Sequence, residues 1–131
     1  MPPSIHAGAT LLMDTFGGLH LHIILNDPVI IKNYGNQPQV ILVNVTSIKA
    51  GKQADNTVLL NVGDHPFIKQ PSYIAFSFAD IKAEKAVAIL GTGHQPISQE
   101  LLERIIRGAF QSPKVRNFVK EALRQVYPGF V

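Results

Sequence analysis

The chain has 131 residues, of which 46% are hydrophobic and 16% are charged, a composition typical of a single globular domain over residues 1–131. It contains no cysteine, which excludes disulfides, thiolate nucleophiles and cysteine-ligated zinc. Its apolar runs are too short to cross a bilayer, and no charged segment followed by an apolar one opens the chain. We therefore expect a soluble, cytoplasmic protein that makes no membrane contact.

The net charge of +3 comes from the C-terminal part of the chain. Residues 1–97 carry six Lys or Arg and six Asp or Glu, whereas residues 98–131 carry six Lys or Arg and three Glu. A basic helical surface can attract phosphate groups or an acidic partner. Charges on an exposed helix also serve solubility alone, and we favour this simpler interpretation.

Strand-like segments occupy the first two thirds of the chain, after about 17 loosely patterned residues rich in proline and glycine. The Ile- and Leu-rich run at 19–26 predicts a strand, which Asp27-Pro28 ends. The continuously apolar run at 40–47 is typical of a strand that is buried on both faces. Shorter strands are predicted at 57–62 and 72–78, and residues 79–90 fit either a strand or a helical turn.

Helical patterns follow. Ser98 is a candidate N-cap, and Glu100 lies in the first turn, where the helix dipole favours an acid. Apolar spacing predicts one helix over about 98–111, and Ser112-Pro113 predicts a second over 113–127. The chain is therefore predicted to be an α+β domain, with residues 19–90 forming a small curled antiparallel sheet or barrel and two C-terminal helices packing on it.

Two histidines on one strand are the first candidate for chemistry. Alternate residues of a strand face the same side, so His20 and His22 project together. RNA can be cleaved without a metal when the 2′-hydroxyl is deprotonated, the leaving oxygen is protonated and the phosphate is stabilised. Imidazoles suit the proton transfers, and the hydroxyls of Thr46 and Ser47 suit the phosphate. Alternatively, either histidine simply forms a hydrogen bond at a strand edge.

A metal site is the second possibility, with His-x-His joined by Asp64 or His65, although the sequence offers no evident closing ligand. Gly63-Asp64-His65-Pro66 is also a typical turn sequence. The glycine loop before His94 lacks the lysine and the spacing of a P-loop. Tyr73 could stack on a base or simply pack against its neighbours.

In their order along the chain, four segments resemble the PemK/MazF toxins of type II toxin–antitoxin systems. The matching segments, which lie between about Leu19 and Gln111, are residues 22–27, 40–47, 71–74 and 96–106. The resemblance implies an SH3-like β-barrel with helices and an endoribonuclease acting on single-stranded RNA. It also implies a cognate antitoxin as protein partner, a homodimer and no cofactor. The family's catalytic arginine has no match, because His20-Leu21-His22 occupies its place, whereas Thr46-Ser47 fits the hydroxyl half of the site.

Our leading hypothesis from the sequence is a metal-independent endoribonuclease toxin. Its predicted catalytic residues are His20, His22, Thr46 and Ser47. Its predicted substrate-binding residues are Asn26, Asp64, His65 and Tyr73. The alternative is a non-catalytic module on the same barrel that binds nucleic acid or a protein partner. The additional helix at 113–127 is interpreted as a dimer surface or as the seat of the antitoxin.

Overall fold

The computed structural model describes residues 3–15 and 18–130, which form an α+β fold. The strands are β1 (Thr10–Thr15), β2 (Gly18–Ile24), β3 (Gln39–Ser47), β4 (Leu59–Leu60), β5 (Ser72–Ile74), β6 (Asp80–Ala83) and β7 (Thr92–His94). The helices are α1 (Glu84–Leu90), α2 (Gln99–Gln111) and α3 (Asn117–Val126), with a 3-10 helix at Phe76–Phe78.

All pairings in the seven-stranded sheet are antiparallel, in the order β4-β5-β3-β2-β1-β7. β3 is the central strand, because β2 pairs with it and β6 and β5 pair with its first and second halves. The α+β class and the antiparallel sheet are as predicted. Within the described residues the sheet is not closed, so the predicted SH3-like barrel is not confirmed.

Alternating side chains of β3 enter two separate cores, which explains why its sequence is apolar throughout. Ile41, Val43 and Val45 belong to the main core, to which α2 and α3 contribute. Val40 and Leu42 belong to a smaller core on the opposite face, where Val87 of α1 packs. Each face of the sheet is thus covered by helix.

The first predicted C-terminal helix agrees with the structure, and its cap is the predicted one. Ser98 adopts an extended conformation, and its side chain accepts a hydrogen bond from the Leu101 N–H at 3.1 Å. The second helix begins at Asn117 rather than at residue 113. The Ser112 hydroxyl instead accepts from the Lys114 N–H at 3.2 Å and caps a turn.

Other differences lie in the short strands. β1 falls within the segment that we interpreted as loosely patterned, and it pairs with both β2 and β7. Residues 79–90 contain a strand and a helix in succession. The predicted strand at 72–78 ends at Ile74 and continues as a 3-10 helix, while the one at 57–62 contracts to Leu59–Leu60. Among the described residues, no helix has the length and apolar character needed to cross a membrane.

Candidate functional site

Both histidines of β2 lie on the same face of the sheet as Thr46. His22 pairs with Asn44 across β2 and β3, and residues two positions apart on one strand share a face. His20 lies two residues before His22 on β2, and Thr46 lies two residues after Asn44 on β3. Because the strands are antiparallel, both residues lie beyond the same end of the ladder. The register therefore aligns His20, His22, Asn44 and Thr46 on one face.

The β2–β3 ladder ends at His22–Asn44, and a hollow lies where the strands continue beyond it. We call it the His20 hollow; it has a volume of about 280 Å³. Its polar lining consists of His20, Thr46, Ser47, Lys49, Lys69, Gln70 and Ser72. The Gln70 side-chain amide donates to the Ser47 hydroxyl oxygen at 3.1 Å, which leaves the Ser47 O–H able to donate to a ligand. Three of the four predicted catalytic residues therefore line one hollow.

The fourth, His22, is buried beneath this surface with only 5% of its area exposed. Its Nδ1 lies 3.1 Å from the His20 carbonyl oxygen, which can only accept, so Nδ1 carries the proton. Burial lowers the pKa of His22, and the neighbouring charges of His20 and Lys82 lower it further, against the opposing effect of that carbonyl. These effects favour the neutral ring of His22, and its Nδ1–H donates to the His20 carbonyl and so stabilises the strand backbone there.

Asn44 is a polar residue that the sequence analysis did not single out. It is 3% exposed, and its side-chain oxygen has no hydrogen-bond partner among residues 3–15 and 18–130. It faces His22 at the last pair of the ladder. The sequence feature that could have indicated this residue is an asparagine inside the apolar run at 40–45, because a buried amide normally needs hydrogen-bond partners.

Lysines from two loops supply positive charge around the hydroxyls. Lys49 and Lys69 line the His20 hollow, and Lys52 lies with Lys49 in an adjoining hollow. The sequence had placed the basic excess in the C-terminal helices instead. There, Arg116 donates to the Ala79 carbonyl oxygen at 2.7 Å, so its guanidinium is engaged in holding the fold. The loop lysines carry no periodic pattern, which is why sequence reasoning missed them.

Asn26 and Asp64, both predicted to bind substrate, are engaged with the backbone. Asn26 is 1% exposed; its side-chain amide donates to the Gln39 carbonyl, and its side-chain oxygen accepts from the Ile41 N–H at 2.7 Å. Asp64 accepts from the Asn61 N–H at 2.7 Å within a turn. Neither residue lines the His20 hollow.

His65 lies on the other face of the sheet from His22. It contacts the hydroxyl of Thr10, which pairs with Ile23, whereas His22 pairs with the next residue of β1. Its Nε2 lies 2.6 Å from the Gln95 carbonyl oxygen, and its Nδ1 accepts from the Phe67 N–H at 3.0 Å. Both ring nitrogens are satisfied only when the ring is neutral with the proton on Nε2.

Burial lowers the pKa of His65, and the charge of the adjacent His94 ring, 4.7 Å away between centroids, lowers it further. The hydrogen bond to the Gln95 carbonyl acts in the opposite direction. His65 thereby anchors the start of the segment 65–70, whose later residues form a wall of the His20 hollow. The sequence placed this histidine in a turn but could not show which face it contacts.

The metal alternative required His65 or Asp64 to approach the His-x-His pair. Over residues 3–15 and 18–130, no three His, Asp or Glu side chains are grouped so that they could hold a metal ion. The two faces of the sheet separate His65 from His22, as described above.

Comparison with known protein families finds no family model that matches the chain, and comparison with curated proteins finds no match. The chemistry of the His20 hollow is therefore inferred from its own side chains, which are hydroxyls, an imidazole and lysines.

Proposed function

We propose that the protein is a metal-independent endoribonuclease that acts on single-stranded RNA in the His20 hollow. The observation that carries the proposal is the presence of His20, Thr46 and Ser47 in one hollow with Lys49 and Lys69. An imidazole, hydroxyl donors and cations are the groups needed for proton transfer and for stabilising a phosphate that gains negative charge. The proposal includes the resemblance to PemK/MazF toxins, and with it an SH3-like barrel as the fold, a cognate antitoxin and a homodimer.

The reaction we propose is an internal transesterification. The His20 imidazole removes the proton of the 2′-hydroxyl, and the resulting oxygen attacks the adjacent phosphorus. The bond from phosphorus to the 5′-oxygen breaks, and that oxygen takes a proton from solvent. The products are a 2′,3′-cyclic phosphate and a 5′-hydroxyl. Thr46, which shares the face of His20, donates a hydrogen bond to a non-bridging oxygen, while the two lysines offset the charge of the phosphate. Ser47 pairs with Ser72 and so points to the opposite face, where Gln70 donates to its hydroxyl, which is why we assign the phosphate contact to Thr46 alone.

His22 has a different role in this proposal from the one that the sequence suggested. Its burial and its bond to the His20 carbonyl make it a positioning residue, which fixes the backbone that carries the His20 ring. We therefore expect His20, rather than His22, to exchange protons with the RNA.

The experiment compares His20→Ala with His6→Ala, a matched loss of a histidine that does not line the hollow. Cleavage of a single-stranded RNA should fall about 10²- to 10⁴-fold in the first variant, which is the usual contribution of a proton-transfer group, and should stay unchanged in the second. Induced expression of the wild type should arrest growth, and expression of His20→Ala should not. Equal melting temperatures exclude unfolding as the cause. Undiminished cleavage by a folded His20→Ala variant contradicts the proposal.

A binding module without catalysis is the second candidate, and one observation favours it. The lining of the His20 hollow, over the part of the chain that the structure describes, includes lysines but no arginine. An arginine would offer a fixed bidentate contact to a reacting phosphate, which a lysine cannot. RNA binding by the wild type without any cleavage would select this candidate.

A further inference from the structure

A second hollow adjoins the His20 hollow, and it is lined by Thr46, Ser47, Lys49, Lys52, Gln53 and Tyr73. We call it the Tyr73 hollow; its volume is about 300 Å³. Thr46, Ser47 and Lys49 line both hollows, so the two share one wall. A ligand whose phosphate rests against Thr46 on this shared wall can therefore extend into either hollow.

Tyr73 stands beside Thr46 in this second hollow. The two residues pair directly across β3 and β5, which places their side chains on one face of the sheet. The neighbours of Tyr73 on β5, Ser72 and Ile74, point to the opposite face and are buried, whereas Tyr73 remains partly exposed.

In the part of the chain that the structure describes, the other two tyrosines have packing contacts with a core that Tyr73 lacks. Tyr34 and Tyr127 pack against the main core, and the Tyr127 hydroxyl also donates to the Leu25 carbonyl. Tyr73 is not among the aromatic side chains that pack on either core. Its ring instead borders an open hollow that contains two lysines and an amide.

We infer that the Tyr73 hollow is a second subsite, which holds the base of the nucleotide next to the phosphate at Thr46. This inference rests on the proposed function. The Tyr73 ring stacks on the base, Lys49 and Lys52 neutralise the flanking phosphates, and the Gln53 amide reaches the edge of the base. Because stacking on Tyr73 requires a base that has left its own stack, the subsite selects single-stranded over double-stranded RNA.

The test uses an octauridylate whose 2′-oxygens are methylated, so that binding is measured without cleavage. The second probe is an octamer of the same sugar and phosphate units without bases. Tyr73→Ala should weaken binding of the first probe by about 5- to 150-fold, the usual loss for one stacked base, and leave the second within about twofold. Tyr73→Phe keeps the ring and should bind both probes like the wild type.

Two further variants separate the base from the phosphate. Lys52→Ala should weaken both probes alike and reduce the salt dependence of binding by about one counterion. Phe118→Ala removes an exposed aromatic ring of α3 that borders neither hollow and should change neither affinity. Melting temperatures confirm that each variant is folded.

The inference is overturned if Tyr73→Ala affects both probes equally or neither, or if a duplex of the same length binds as tightly as the single strand. Absence of any binding to either probe also overturns it. Its failure differs from that of the proposed function. If the wild type cleaves no RNA, but Tyr73→Ala still weakens binding of the base-bearing probe alone, the catalytic proposal fails and the subsite stands.

Discussion

Gly108 of α2 is the position where one added methyl group has the clearest expected effect. It is buried, and a Cβ atom built on it would lie 2.5 Å from Cγ2 of Val58 and 3.2 Å from Cζ of Phe76. Val58 is 4% exposed and Phe76 is fully buried, so neither side chain can turn into solvent. Val58 is also β-branched, which restricts its rotamers.

Two opposing contributions set the change in unfolding free energy that we expect for Gly108→Ala. Overpacking of a core costs about 1–3 kcal/mol, and a contact of 2.5 Å to a stiff, buried side chain places this case in the upper half of that range. Replacing glycine by alanine within a helix returns about 1 kcal/mol. We therefore expect the free energy of unfolding to fall by about 1–2 kcal/mol, which corresponds to a melting temperature lower by roughly 3–10 °C.

Urea unfolding of a double-mutant cycle with Val58→Ala checks the cause. Val58→Ala removes the Cγ2 atom, so in that background Gly108→Ala should be neutral or stabilising by about 1 kcal/mol, leaving the helix term alone. The coupling energy is then about 1–3 kcal/mol. If Gly108→Ala has the same effect in both backgrounds, or stabilises the wild type, the packing of α2 against Val58 is not as described.

Three further outcomes are expected. The folded state lowers the pKa of His65 and of His22 and so disfavours their protonation. Their contribution to stability is therefore complete above the unfolded pKa of about 6.5 and is lost as the pH falls through the lower folded pKa values. His65→Gln should reduce the loss of unfolding free energy between pH 7.5 and 5, and an unchanged dependence of that free energy on pH would contradict this. Asn26→Ala should destabilise the protein by about 1–3 kcal/mol, because it leaves the buried Ile41 N–H without its partner, while the Gln39 carbonyl keeps its bond from the Val29 N–H; a stable variant with weakened RNA binding would instead restore the substrate role predicted from sequence. RNA cleavage should persist in EDTA, and its loss in EDTA with recovery on adding zinc would refute the metal-independent reaction.

Sequence patterns predicted the elements whose side chains follow a clear period. The run at 40–47 matched β3 because both of its faces are buried, and the cap at Ser98 fixed the start of α2. β1 escaped notice because its residues, Thr-Leu-Leu-Met-Asp-Thr, neither alternate cleanly nor form a long apolar run. The start of α3 was placed too early because Ser-Pro favours turns as well as helix starts.

The candidate site was predictable only in part, since its residues come from different segments. Alternation placed His20 and His22 on one face, but it could not show that His22 is buried while His20 lies at the hollow. Lys69 and Gln70 reach Thr46 and Ser47 only through the fold of a loop, which no local pattern encodes.

The two end strands of the sheet also bear on how the protein can associate. β4 has two residues and β7 has three, so a second chain that extended the sheet at either end would gain few backbone hydrogen bonds. At β7, Pro3 lies against Gly93 and brings a residue without an N–H to that border. Strand addition at these two ends of the sheet would therefore contribute little to an association. The proposed homodimer would therefore use a side-chain surface rather than these two strand ends, and the C-terminal end of α1, where Ile89 is 82% exposed, offers one.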